Sequence, residues 1–216
     1  MPYTFAIIKP DVTSTLKDVT LLEHIESSGF NVHSMYSSFP TETMLRAHYA
    51  ETIAKRGELI GRYVVDSMSE HFIIPLLIEG GPDVVFRFRE YVGSSFDPKK
   101  NGVDTLRYRF SNDTLERANL EGRAVRNALH ASDSNENAEF EINLWFNKFL
   151  DSDVLRHHNP ESKGYLVDGA SGHVFATPWV DRRAGTLQHK TTTHIYSLKR
   201  ESNGTPFDFN QFRLSA

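Results

Sequence analysis

Asn127-Ala-Leu-His130-Ala-Ser132-Asp133-Ser134-Asn-Glu136-Asn-Ala138-Glu-Phe-Glu141-Ile142-Asn-Leu144-Trp145-Phe146 changes character partway along. Asn127 to His130 reads as a short strand. Asp133 with Glu136 three residues on resembles a capping box, which predicts a helix running to about Phe149. Ala138, Ile142, Trp145 and Phe149 form its apolar stripe. His130 therefore falls where a strand meets a helix N-terminus, a place whose free N–H groups and macrodipole favour anions.

Working outward from that joint, the same alternation repeats. Phe5 to Ile8 is a short apolar run ended by Lys9-Pro10-Asp11, a buried strand leading into a loop. Leu21, Leu22, Ile25 and Phe30 follow at helical spacing, with Gly29 as the stop. Asn31 to Phe39 alternates as a strand, and Thr41 is an N-cap for a helix with Met44, Leu45, Tyr49 and Ile53 on its apolar side. A further short helix is expected over Leu59 to Met68. Phe72 to Ile78 carries the strongest buried-strand signal. Gly80-Gly81-Pro82-Asp83 then leads into a helix over Val84 to Val92. Ser94 to Gly102 is loop-like, and Asp104 to Arg126 is polar and rich in arginine. Strand, helix, strand, helices, strand, helix, strand, helix points to an α+β (α/β) sandwich. The ferredoxin-like βαββαβ arrangement, with an antiparallel sheet and packed helices, is an economical solution.

From Asp151 the composition shifts toward Gly, Ser, Thr and His. Tyr165-Leu-Val and His173-Val-Phe-Ala flank a Gly-containing turn and read as a hairpin; Thr192 to Leu198 is a candidate third strand. The expected division is a domain over 1–150 and a small β-rich extension over 151–216, packed on the core or on a neighbouring subunit.

The chain has 216 residues, 39% of them hydrophobic and 24% charged, enough for a sizeable core. A net charge of −4 demands neither nucleic acid nor membrane as partner, so an anionic substrate needs locally placed cations. The absence of cysteine excludes disulfides, thiolate catalysis and Cys-ligated zinc. The first residues lack the pattern of a secretory signal, and no run of about 18 apolar residues occurs, so a cytoplasmic location is expected. His157-His158 with Asp153 does not complete a metal-ligand spacing.

A histidine at the strand–helix joint can act on a phosphate as nucleophile or general base. Glu141 flanks the buried stripe of the following helix, so its carboxylate is able to point back at His130, with Ser132 between them. Such a carboxylate fixes the imidazole tautomer and offsets positive charge on the ring. The plainer reading of these residues alone is that His130 ends a strand, Ser132 or Asp133 caps a helix and Glu141 is solvated.

The segment also resembles the active-site signature of nucleoside diphosphate kinases, Asn-x-x-His-Gly-Ser-Asp-Ser followed by a helix with Glu and Leu-Trp-Phe. Asn127, His130, Ser132, Asp133, Ser134, Glu141 and Leu144-Trp145-Phe146 stand in register with it. Ala6-Ile-Ile-Lys9-Pro10-Asp11 and the His48-Tyr49 pair match two further family features, and the resemblance covers about residues 3 to 150. It implies transfer of the γ-phosphate from a nucleoside triphosphate to a nucleoside diphosphate by a ping-pong route through phosphorylated His130. In that reading Glu141 and Ser132 orient His130, and Tyr49 hydrogen-bonds nearby. Lys9, Arg89, Ser95 and Arg107 bind phosphate, and Asn127 contacts sugar hydroxyl and phosphate. Mg²⁺ is held mainly by the substrate phosphates, with no protein metal site, and the protein is a homo-oligomer.

The sequence departs from the family pattern at several points. Ala131 replaces the glycine after the histidine, and Val12 the glycine after Lys-Pro-Asp. Ala54 to Ile60 holds no aromatic where the family stacks the nucleobase. Arg107 and Asn127 lie 20 apart, a longer separation than usual, which enlarges the loop around 108–126. Ala131, Val12 and the missing aromatic favour the alternative of a catalytically weak or inactive nucleotide-binding or regulatory module, whereas the joint presence of His130, Glu141, Lys9, Arg89 and Arg107 argues for the active kinase. A third possibility makes the 151–216 extension the functional part of an interaction protein.

Overall fold

Strand β1 (Tyr3–Ile8) is the spine of the molecule. The computed structural model describes residues 2–69 and 71–147, together with the strands Gly164–Val167, Val174–Thr177 and His194–Ser197. Phe149 and the Asp153, His157 and His158 group lie outside the described residues.

From Phe5 to Ile8 every residue of β1 is fully buried, because the strand is covered on both faces. Ala6 and Ile8 pack on one side with Val12 of α1 (Pro10–Thr13), Leu21, Leu22 and Ile25 of α2 (Asp18–Ser27) and Val85 and Phe88 of α6 (Val84–Val92). Phe5 and Ile7 pack on the other with Met44 and Leu45 of α3 (Glu42–His48), Val65 of α5 (Glu58–Asp66) and Trp145. The period of two along the strand thus feeds two apolar layers.

Strands β2 (Asn31–Ser37), β3 (Ile74–Glu79) and β4 (Leu129–Ala131) complete an antiparallel sheet in the order β4-β1-β3-β2. This is the predicted ferredoxin-like order, with β3 inserted between β1 and β2. Pro75 sits in the central strand opposite Ile7. Its missing N–H falls where β2 leaves the ladder, between the pairs Met35–Leu76 and Ser38–Ile73, so no sheet hydrogen bond is forfeited. Beyond the four, β5 (Gly164–Val167) and β6 (Val174–Thr177) form an antiparallel pair, and β7 (His194–Ser197) pairs with the outer side of β2.

Four local expectations change. The helix predicted from Thr41 through Ile53 breaks at Tyr49 into α3 and α4 (Ala50–Arg56), because Tyr49 adopts ψ 16°. The C-terminal helix α9 (Asn135–Ile142) is capped by Ser134, whose Oγ accepts from Asn137 N at 3.1 Å. Asp133 lies one residue too early for that role, and its carboxylate accepts from Asn137 Nδ2 at 2.7 Å instead. After Ile142 the chain widens into a π-helical turn, Asn143–Asn147, which carries Trp145 into the second apolar layer. The enlarged loop contains two short helices, α7 (Leu106–Phe110) and α8 (Leu115–Leu120), in a stretch read from sequence as merely polar.

Candidate active site

The register of β4 on β1 places the central histidine. His130 stands directly opposite Ile7 and shares its face, beneath Phe5, His48 and Tyr49. The strand is set by a tight entry: Leu129 N donates to Asn127 O at 2.6 Å around Ala128, which is forced to φ 63°. The conformation is fixed from outside. Asp11 Oδ2 accepts from Ala128 N at 2.8 Å, and Lys9 N donates to Ala128 O at 2.9 Å. The strained residue is Ala128, three before the position where the family carries glycine. Ala131 has ordinary strand geometry with no positive φ, so its Cβ is accommodated without backbone strain. Val12 likewise fits, fully buried in the first apolar layer.

His130 Nε2 is 2.9 Å from Glu141 Oε1, and Ser132 Oγ donates to Glu141 Oε2 at 2.5 Å. One carboxylate therefore holds both partners. With Nε2 donating to it, the lone pair of His130 lies on Nδ1. Burial, followed by the charges of Lys9, Arg89 and Arg107, pushes the His130 pKa well below the usual histidine range, so the ring is neutral near pH 7. Burial pushes the Glu141 carboxyl up. His48 is edge-on to His130 at 4.5 Å between ring centroids. Its Nδ1 accepts from Trp145 Nε1 at 3.2 Å, and burial lowers its pKa to about 3.

A cavity of about 740 Å³ opens over this group, within the range of small-ligand sites. Lys9, Tyr49, Arg89, Arg107, Asn127, His130 and Glu141 all line it. Lys9 Nζ donates to Asn127 Oδ1 at 2.8 Å; burial and the neighbouring Arg107 lower its pKa to about 8. Arg89 donates to Ala131 O at 2.9 Å and Ser94 O at 3.1 Å. Arg107, only 3% exposed, donates to Leu129 O, Gly93 O and Ser95 O at 2.9–3.2 Å, and burial lowers its pKa to about 9. Tyr49 is buried, its hydroxyl toward Met68 Sδ at 4.0 Å.

Ser95 is the predicted site residue that the fold turns away. Its Oγ accepts from Asp97 N at 3.3 Å, while its neighbour Ser94 reaches the cavity wall. Two contributors had been given no task. Asp11 holds the Ala128 turn from within the Lys-Pro-Asp motif, and His48 abuts His130 from within the His-Tyr pair. Arg123 and Asn119 of the enlarged loop also line the cavity, and Arg123 pairs with both carboxylate oxygens of Asp113. That contact needed the tertiary fold to become visible.

The one cluster of possible metal ligands among the described residues is His48, His130 and Glu141. Two ring nitrogens and one carboxylate make a poor cage for Mg²⁺, which prefers an octahedron of oxygens. No helix among the described residues is long and apolar enough to cross a membrane.

Residues 2–150 match the family model described as nucleoside diphosphate kinase. A nucleoside diphosphate kinase of Exiguobacterium sibiricum is 33% identical over 148 residues, covering 68% of this chain and 95% of that protein. One from Eremothecium gossypii is 32% identical over 145 residues, covering 67% and 86%. Among solved structures, the nucleoside-diphosphate kinase of Borrelia burgdorferi superposes with a TM-score of 0.61 at 24% identity, over 67% of this chain and 86% of that one. The Aquifex aeolicus enzyme gives 0.55 at 26%, over 67% and 94%. The chain belongs to the nucleoside diphosphate kinase family, and is a nucleotide-binding transferase of nucleotide metabolism.

Proposed function

We propose that the γ-phosphate passes through His130 in two half-reactions. The His130 Nδ1 lone pair attacks the γ-phosphorus of a nucleoside triphosphate, the N–P bond forms, the bond to the β-phosphate oxygen breaks, and the diphosphate leaves. A second nucleoside diphosphate then attacks the same phosphorus and regenerates the neutral ring. Positive charge arising on the imidazole is offset by Glu141, which Ser132 holds in line. The observation that carries this reading is the hydrogen bond from His130 Nε2 to Glu141, since it directs Nδ1 to be the nucleophile.

Lys9, Arg89 and Arg107 line the cavity beside His130 and are suited to neutralise phosphate charge; arginine adds bidentate geometry. Asn127, bonded to Lys9, is suited to the sugar and phosphate. Ser95 acts on phosphate only if its loop turns. Mg²⁺ arrives on the phosphates and supplies further charge neutralisation. Tyr49 packs beside His130 as a positioning residue. The reading extends to a homo-oligomer, to a cytoplasmic enzyme and to a catalytic unit over 1–150 with an extension over 151–216.

Incubation with γ-³²P-ATP and Mg²⁺ tests the route. Acid-labile label is expected on the wild type, chased into GTP by unlabelled GDP, and none on His130→Ala. Label that persists in His130→Ala, or a wild type that transfers phosphate without ever carrying it, overturns the covalent route.

A further inference from the structure

The nucleobase end of the cavity has its own unusual construction. The segment after Tyr49 offers no aromatic, since α4 closes with Lys55-Arg56 and Gly57 turns the chain at φ 86°. The loop between α6 and α7 presents Phe96 to the cavity, 40% exposed. The Arg56 guanidinium lies over its ring, 5.0 Å from the centroid. What sets Phe96 apart from other exposed apolar side chains is its place on the cavity wall with a guanidinium over its ring.

This loop is held rigidly. Asn101 accepts from Ser95 N and donates to Ser95 O and Asp97 O, each at 2.9 Å. Arg107 clasps Gly93 O and Ser95 O, and Asn127 Nδ2 donates to Phe96 O at 3.0 Å. The other end of the same Asn127 amide accepts from Lys9. One side chain thus ties the phosphate-facing lysine to the backbone of Phe96. A ring fixed in place forfeits little freedom when a flat ligand lands on it.

We propose that the Phe96–Arg56 pair is the platform on which the base of the nucleoside di- or triphosphate lies. The proposal rests on the reading that the nucleotide occupies this cavity with its phosphates toward His130. Aromatic faces and guanidinium planes both stack on bases, and stacking is indifferent to the hydrogen-bonding edge. The platform therefore accepts all bases and favours purines by area.

Calorimetric binding of ATP and of inorganic tripolyphosphate, both as imido analogues that cannot donate a phosphate to His130 and each with Mg²⁺, to the full-length protein tests it independently of chemistry. The wild type is expected to bind ATP about 10-fold or more tightly than tripolyphosphate. Phe96→Leu should erase most of that difference and leave tripolyphosphate binding unchanged; Phe96→Trp should restore it, and Arg56→Gln should lose part of it. Equal ATP affinity in wild type and Phe96→Leu overturns the platform, as does a loss shared equally by tripolyphosphate or a wild type that makes no distinction between the two. A base-dependent difference in a wild type that takes no label on His130 upholds the platform while sinking the phosphohistidine route.

Discussion

Burial and three nearby cations hold His130 neutral, and the same crowding lowers Lys9 to about 8. The two shifts act at opposite ends of the pH range. Because the free-enzyme pKa of His130 is depressed, lowering pH through 6.5 does not protonate the ring, so kcat/KM for phosphorylation should show no histidine limb there. Because Lys9 loses its charge as pH rises through about 8, kcat/KM should fall on the alkaline side. Rates of label uptake from magnesium-saturated ATP across pH 5.5–9.5 check both limbs. An acid limb at the ordinary histidine value would mean that His130 is not shielded as the geometry implies. These environments were only partly foreseeable. The residue types and order of Lys9, His130 and Glu141 stand in the sequence, whereas the approach of Arg107 to Leu129 O, 22 positions away, belongs to the fold.

Two glycine questions separate at the level of loops and strands. Gly93 ends α6 at φ 105°, and a Cβ there would lie 2.8 Å from the Asn101 side chain. Gly93→Ala should therefore lower stability by about 1–3 kcal/mol and loosen the loop that carries Phe96. Ala131→Gly, which would reinstate the family residue, should also lower stability, by about 1 kcal/mol, since it softens a strand and removes a buried methyl. Thermal denaturation of both variants decides; a stabilised Ala131→Gly would show that the strand strains its alanine after all. The sequence made β1, β3 and α6 legible, because their apolar runs are buried on one or both faces. It did not show the break at Tyr49 or the π turn at Asn143–Asn147, since both preserve the apolar spacing while altering the backbone path. The helices of the enlarged loop escaped for a different reason: α7 has five residues and α8 six, too short to display a period.

Across the whole molecule, a chain of net charge −4 gathers its working cations into one cavity at the β4 end of the sheet. That end would ordinarily be a liability. The inward groups of β4 pair with β1, as in Ser132 N to Phe5 O at 3.1 Å, leaving the carbonyls of Leu129 and Ala131 on the open side. Arg107 takes the first and Arg89 the second. The two side chains proposed to bind phosphate thereby occupy the acceptors that a strand from another copy would seek, and they present positive charge to any such approach. On the proposed mechanism, solubility and catalysis are tied to the same guanidinium groups. Arg89→Met should raise light scattering on storage well below the unfolding temperature; scattering no greater than wild type would mean that another feature guards this edge. A lineage that lost its need for the phosphates would still be penalised for discarding the arginines, so their retention in a relative is no proof that the relative is active.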